Sequence, residues 1–290
     1  PLLLRPGDTL LLHRESIPGA PAIKDENGDV LEPAHISCRQ PEVLDFVAEG
    51  HRVSMNDGKI SGIVRSIHAD HLELEIRKAK PAGSRLRADK GINFPDSDIR
   101  LPGLTVADKK SLEFVVEHAD AVSLSFVRRP EDVGVLQEEL ERLGAAEIGI
   151  VLKIETTEAF RHLPRLLLTA MRHYPVAVMI ARGDLAVEAG WGRLAELQEE
   201  LLWICEAAQV PVIWATQVLE GKTKRGLPSR AEISDAAMSQ RADCVMLNKG
   251  PHILSAIRML DDILRRMQAH QYKKTATLRK LRFGKESAAV

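Results

Sequence analysis

From Leu101 onward, apolar β-rich runs alternate with amphipathic stretches, and this alternation limits the folds open to the chain more than any other feature. The runs predict strands over 121–126, 148–154, 176–181, 210–214 and 244–247. The stretches between and around them predict helices over 105–118, 130–143, 157–171, 194–208, 230–240 and 251–267. A repeat of about 30 residues suits βαβ units. Strands alternating with helices argue a parallel sheet with crossover helices. The runs are almost wholly apolar, as parallel strands buried on both faces should be.

Each predicted strand hands over to polar residues. The ends read Ser125-Phe126, Lys153-Ile154-Glu155, Arg182-Gly183-Asp184, Thr216-Gln217 and Asn248-Lys249-Gly250. In α/β barrels the active site sits at the carboxyl ends of the strands. An open doubly wound sheet uses one switch point instead. Five contributing ends favour the barrel, yet five strands do not close an eight-stranded one. The expected class is therefore α/β, a (β/α)8 TIM-type barrel that is incomplete in this chain.

The first hundred residues follow another pattern. Pro6-Gly7-Asp8, Glu26-Asn27-Gly28-Asp29 and Asn56-Asp57-Gly58 are turn signals. Short alternating stretches lie between them, over 9–13, 52–55, 60–67 and 72–76. This predicts a small all-β domain over 1–100, a barrel domain over 101–270 and a basic tail over 271–290.

The 290 residues carry 40 basic and 41 acidic side chains, a formal charge of −1. That balance argues against a nucleic-acid partner. The basic run from Arg77 to Lys90 reads either as a phosphate contact or as a solvated loop. No apolar run reaches the roughly 20 residues that span a bilayer, so no membrane partner is expected. No signal peptide is visible, and the chain opens on proline rather than methionine. Cys38, Cys205 and Cys244 fit neither a disulfide framework nor a CxxC site, which favours a reducing, cytoplasmic setting.

Because a strand alternates its faces, Lys153 and Glu155 project to the same side. With Asp184 on the next strand end, one cation and two acids meet at neighbouring ends. Glu155 and Asp184 suit a hard divalent metal such as Mg²⁺ or Mn²⁺, and Lys153 suits a phosphate or carboxylate ligand. A plain Lys–Glu ion pair holding the strand ends is the competing reading. Backbone N–H groups at Gly183-Asp184 can hold an anion; a plain strand-to-helix turn is the alternative. Thr216 reads as a carboxylate ligand, a proton relay or a helix cap. Arg182 reads as an anion grip or as the partner of a neighbouring acid. The histidines show no HxH or HxxxH spacing, so a zinc site is not expected. No GxGxxG, GxxxxGK or GxSxG string occurs.

Taken together the strings resemble the pyruvate kinase family. The resemblance is carried by Asn56-Asp57-Gly58-Lys59-Ile60-Ser61, Asp89-Lys90-Gly91-Ile92-Asn93, Leu101-Pro102-Gly103-Leu104-Thr105, Lys153-Ile154-Glu155, Ala181-Arg182-Gly183-Asp184-Leu185, Ala215-Thr216-Gln217 and Arg230-Ala231-Glu232-Ile233-Ser234-Asp235, in that order. It implies the last five βα units of a barrel, with residues 1–100 as a mobile β lid. It implies phosphoryl transfer from phosphoenolpyruvate to ADP, giving pyruvate and ATP. Lys153 would stabilise the transferring phosphoryl group, and Glu155 and Asp184 would bind Mg²⁺ or Mn²⁺. The Gly183 and Asp184 backbone and Thr216 would hold the substrate carboxylate, Arg182 would lie beside it, and Lys90 would lie near ADP. K⁺ is a further cofactor of the family.

The chain also departs from the family. The first three barrel strands, which bring a phosphate-binding arginine and the oxygen ligands for K⁺, have no match, and neither does the C-terminal regulatory domain. After the last strand the family's Ser-Gly-Glu-Thr-Ala-Lys-Gly loop is shortened to Asn248-Lys249-Gly250. A metal-dependent lyase or aldolase acting on a pyruvate enolate, and a non-catalytic ligand-binding relative, stand as alternatives. The sequence is compatible with a homo-oligomer but does not specify one.

Overall fold

The computed structural model describes residues 1–173 and 175–271, and every count and absence below refers to these. Apart from Gln271, the expected basic tail lies outside them. The chain forms two compact units, Pro1–Pro102 with Val187–Ala189, and Gly103–Ala186 with the chain from Gly190.

The first unit is built from β1 (Leu2–Leu4), β2 (Thr9–His13), β3 (Ile23–Lys24), β4 (Val30–Glu32), β5 (Ala34–Ser37), β6 (Arg52–Met55), β7 (Ile60–Ile67), β8 (His71–Lys78), β9 (Ser84–Leu86) and β10 (Ile92–Asn93), with a 3₁₀ turn over Pro41–Phe46. Its main sheet runs β10-β6-β7-β8-β2-β5. All pairings in it are antiparallel except β2 with β5. Leu10, Leu12, Val53, Leu72, Leu74 and Ile76 are fully buried on one face. The residues between them in β2 and β8, among them His13, His71 and Glu73, turn to the other face, which is part-exposed. A one-residue slip would exchange the two sets, so the apolar alternation pins the register. The β6–β7 hairpin closes through Asn56, Asp57 and Gly58, with φ of 54°, 56° and 74°. These are the residue types that tolerate the left-handed region. Of this unit's strands of two to four residues, sequence reading anticipates β6 and misses the others, because so short a run has no measurable period; β5, one of those missed, pairs in parallel with β2.

The second unit contains α1 (Val106–His118), β11 (Ala121–Leu124), α2 (Pro130–Arg142), β12 (Gly149–Ile154), α3 (Thr157–Ala170), β13 (Val176–Ala181), α4 (Arg182–Ala189), α5 (Trp191–Ala207), β14 (Val212–Val218), α6 (Glu220–Arg225), α7 (Arg230–Met238), β15 (Cys244–Leu247) and α8 (Ile253–Gln271). The five strands form one parallel sheet in sequence order. This is a β/α succession of the α/β-barrel kind with the predicted strands in their predicted order. Start signals explain where helices begin. Thr105 and Asp108 form a capping box at α1, and Ser229 and Glu232 form one at α7.

Two expectations change. Burial on both faces is what the apolar runs predict, yet β12 and β13 alternate: Ile150, Leu152, Ile154, Val178 and Ile180 are 0% exposed, while Val151, Lys153, Ala177 and Met179 are only half-buried. Aliphatic residues on the second face disguise the alternation. Helices α4 and α6 also break stretches that read as loops. Both are short, and α4 starts directly on the last residue of β13 without a capping side chain, so no start signal precedes it.

The cysteines give a direct check. Cys38 and Cys205 are buried and Cys244 is exposed; all three are free. Burial pushes the Cys205 thiol up to about 12 and raises that of Cys38 as well. A thiol reagent at pH 8 is expected to label one cysteine quickly in the native protein, mapped to Cys244, and the other two only after unfolding.

Candidate active site at the strand ends

Strand register builds the site. Leu124 pairs with Leu152, Ile154 with Ile180, and Ala181 with Ala215. The residues after each strand therefore emerge at one edge of the sheet, side by side. Ser125 follows β11, Glu155 follows β12, and Arg182-Gly183-Asp184 follows β13.

Lys153 and Glu155 meet as the two-residue period requires, Nζ to Oε1 at 3.0 Å. Lys153 Nζ also donates to Ser125 Oγ at 2.7 Å. Glu155 is only 3% exposed. Its second oxygen, Oε2, accepts from the Phe126 backbone N–H. Burial raises the Glu155 pKa above its ordinary value; the Phe126 hydrogen bond and Lys153 oppose the rise, and the charge of Asp184 adds to it. Two acids close enough to disturb each other thus stand beside one lysine, and one of the acids is almost fully desolvated. That donor set fits a divalent cation, because carboxylate oxygens keep a lone pair for a metal after accepting one hydrogen bond. The ion pair and the metal-ligand reading are thus compatible with each other.

Gly183 and Asp184 lie in the first turn of α4, whose backbone N–H groups have no intrahelical partner. A Cβ built on Gly183 would lie 2.8 Å from Thr216 Cγ2, so only glycine lets the helix start this close to β14. Thr216 itself has φ of 72°, and Gln217 follows at 61°. The left-handed region is an outlier for a β-branched residue. The kink coincides with the register shift in β14 between Trp214 and Val218, and it gives Thr216 a half-buried position beside Gly183.

Arg182 takes the structural side of its two readings. Its Nε donates to the Ala215 carbonyl at 2.7 Å, Nη2 to the Thr216 carbonyl at 2.6 Å, and Nη1 and Nη2 grip Asp235. The guanidinium lies 4.6 Å from the centre of the Trp214 ring. It is a clamp that ties the end of β14 to α4 and α7. Lys90 belongs to the first unit, where it is exposed between Asp89 at φ 58° and Gly91. Sequence reading overlooked the Phe126 N–H, a backbone group carrying no side-chain signal. It also gave no role to Asp235, whose only signal was its place in the Arg230–Asp235 string. Gly250, in the shortened last loop, sits so close to α6 that a Cβ there would lie 2.4 Å from the Thr223 carbonyl.

Chemical denaturation of substituted chains tests this geometry. Gly183→Ala is expected to cost about 1–3 kcal/mol through overpacking. Thr216→Ser, which removes the clashing methyl, should return most of that loss in the double variant, a coupling that a double-mutant cycle reads directly. Arg182→Ala is expected to cost about 3 kcal/mol because it strands Asp235 and two carbonyls. Arg265→Ala, which breaks only an exposed pair with Asp261, should leave the midpoint unchanged.

Comparison with known proteins places these residues in a lineage. Residues 22–251 match the family profile described as "Pyruvate kinase, barrel domain". The chain is 34% identical to the pyruvate kinase PKLR of Homo sapiens over 239 residues, which is 80% of this chain and 40% of that protein. It is 33% identical to the pyruvate kinase of Bacillus licheniformis over 255 residues, 85% of this chain and 42% of that protein. The figure for Mycobacterium intracellulare pyruvate kinase is 31% over 236 residues, 79% and 48%. The chain thus spans less than half the length of the curated relatives it matches. The profile match over most of the chain, with relatives above 30% identical across about four fifths of it, shows that the chain belongs to the pyruvate kinase family.

Proposed function

We propose that this site transfers a phosphoryl group from phosphoenolpyruvate to ADP, yielding pyruvate and ATP. The observation that carries the reading is the convergence of Lys153, Glu155 and Asp184 at one sheet edge. Lys153, fixed by Ser125 and Glu155, donates to the oxygens of the phosphoryl group as their charge redistributes between donor and acceptor. Glu155 and Asp184 would hold Mg²⁺ or Mn²⁺. When bound, the cation neutralises phosphate charge. The N–H groups of Gly183 and Asp184 in the first turn of α4 hold the substrate carboxylate, because an anion is stabilised at a helix start. Thr216 supplies a hydroxyl to that carboxylate or to the proton that the enolate must gain. Arg182 contributes by fixing the Thr216 carbonyl.

In this reading Lys90 serves the nucleotide and the first unit acts as a lid that excludes water. K⁺ is an accessory cofactor for which no residue here is nominated. The substrates are small molecules, and a homo-oligomer in a cytoplasmic setting completes the proposal. The three free cysteines support that setting, and no helix among the described residues is long and apolar enough to cross a membrane. The names of the relatives do not favour the lyase alternative.

A coupled assay on this chain with phosphoenolpyruvate, ADP and Mg²⁺ tests the reading. ADP-dependent pyruvate formation supports it. Ligand-induced thermal stabilisation without turnover would instead support a binding-only relative, and pyruvate release from a hydroxy-keto acid without ADP a lyase. Lys153→Met should abolish turnover while Mg²⁺ binding persists; a near-normal rate would make Lys153 structural. Glu155→Gln should weaken Mg²⁺.

Acidity supplies a further check. A carboxyl whose folded pKa lies above its unfolded value favours folding less as pH rises through the folded value. Stability of the metal-free protein from Glu155 therefore declines with pH above the ordinary glutamate range. Mg²⁺ protection, read as thermal shift between pH 4 and 8, should grow over the same interval.

A further inference from the structure

The outer face of the first unit's sheet gathers imidazoles. In β2 and β8, His13 and His71 are direct cross-strand partners. Paired residues on one face bring their Cβ atoms to about 5 Å. Their ring centroids lie 5.2 Å apart. Asp70 precedes β8, and its Oδ1 lies 2.9 Å from His71 Nδ1. One ligand atom from each of His13, Asp70 and His71 falls within 4.8 Å of the other two. More imidazole surrounds this trio. His35, on β5, has its ring 5.5 Å from His13, and its buried Nδ1 has no hydrogen-bond partner. His68 stacks on His71 at 4.4 Å.

We propose that His13, His71 and Asp70 bind a borderline divalent transition-metal ion of the Zn²⁺ class. Two imidazoles and a carboxylate with an open fourth position are a recurrent zinc donor set. Tetrahedral ligands at zinc–ligand lengths sit about 3.3 Å apart, so the trio needs only side-chain rotation to close, and exposed Asp70 is free to supply it. Hard Mg²⁺ prefers oxygen ligands, so this site does not compete with Glu155 and Asp184 for their ion. The bound ion would staple the hairpin turn before β8 to β2 in the sheet. Sequence spacing hides the site: fifty-odd residues separate His13 from His71, and only strand pairing joins them.

Titration of the untagged, chelator-stripped full chain with Zn²⁺ tests this, using a chromophoric competitor and saturating Mg²⁺. One Zn²⁺ per chain is expected, weakened at least about tenfold in His13→Ala and in Asp70→Asn and unchanged in Glu155→Gln and Cys244→Ser. Asp70 is exposed, so Asp70→Asn decides the matter should His13→Ala fail to fold. Co²⁺ substitution should give the visible absorption of a four-coordinate ion. Zn²⁺ binding that is absent, that survives in both site variants, or that disappears in Glu155→Gln or Cys244→Ser would overturn the proposal.

Discussion

The parallel register of β11 to β14 is the constraint on which the candidate site rests. Parallel strands all point the same way, so their carboxyl ends lie along the same edge of the sheet. Along that edge Leu124 pairs with Leu152, Ile154 with Ile180, and Ala181 with Ala215. Residues far apart in sequence, Ser125, Glu155, Asp184 and Thr216, are delivered there by backbone pairing alone. Ile150, Leu152 and Val178 are buried on one side of their strands, which leaves the alternate side chains, Lys153 among them, on the other.

Electrostatics at that edge follows from desolvation more than from pairing. Burial raises the Glu155 pKa, and Lys153 and the Phe126 N–H oppose that rise. The charge of Asp184 adds to it. A site under this tension gains from any divalent cation, which connects the burial of one carboxylate to the chemistry proposed for the whole. Lys153, held at both Ser125 and Glu155, is pre-oriented, so little rotamer freedom is lost when an anion arrives.

Backbone strain gathers at the same strand ends. Phe126, Thr216, Gln217 and Leu219 all have positive φ, at a cost of order 1–3 kcal/mol each. The strain at Phe126 comes with an N–H aimed at Glu155. Arg182, bound to the Ala215 and Thr216 carbonyls, holds the β14 kink in place. Local propensity alone would not place phenylalanine or threonine in the left-handed region, so no sequence pattern announces these positions. The Lys153–Glu155 pair was legible, because a two-residue spacing at a strand end fixes a common face. Arg182 remained divided between two roles until its partner Asp235 came within reach, across a helix and a strand.

The sequence by itself determined the periodic elements of the second unit and the hairpins of the first, since the hydrophobic period and turn chemistry are local properties. It also determined which acids and which lysine stand at strand ends. Tertiary structure alone decided what those groups touch. Whether Arg182 grips an anion or Asp235, whether Gly183 is a mere turn or a close contact with Thr216, and whether scattered histidines share one sheet face are questions of distance. Such distances are set by strand pairing between residues remote in the chain, which no local window contains.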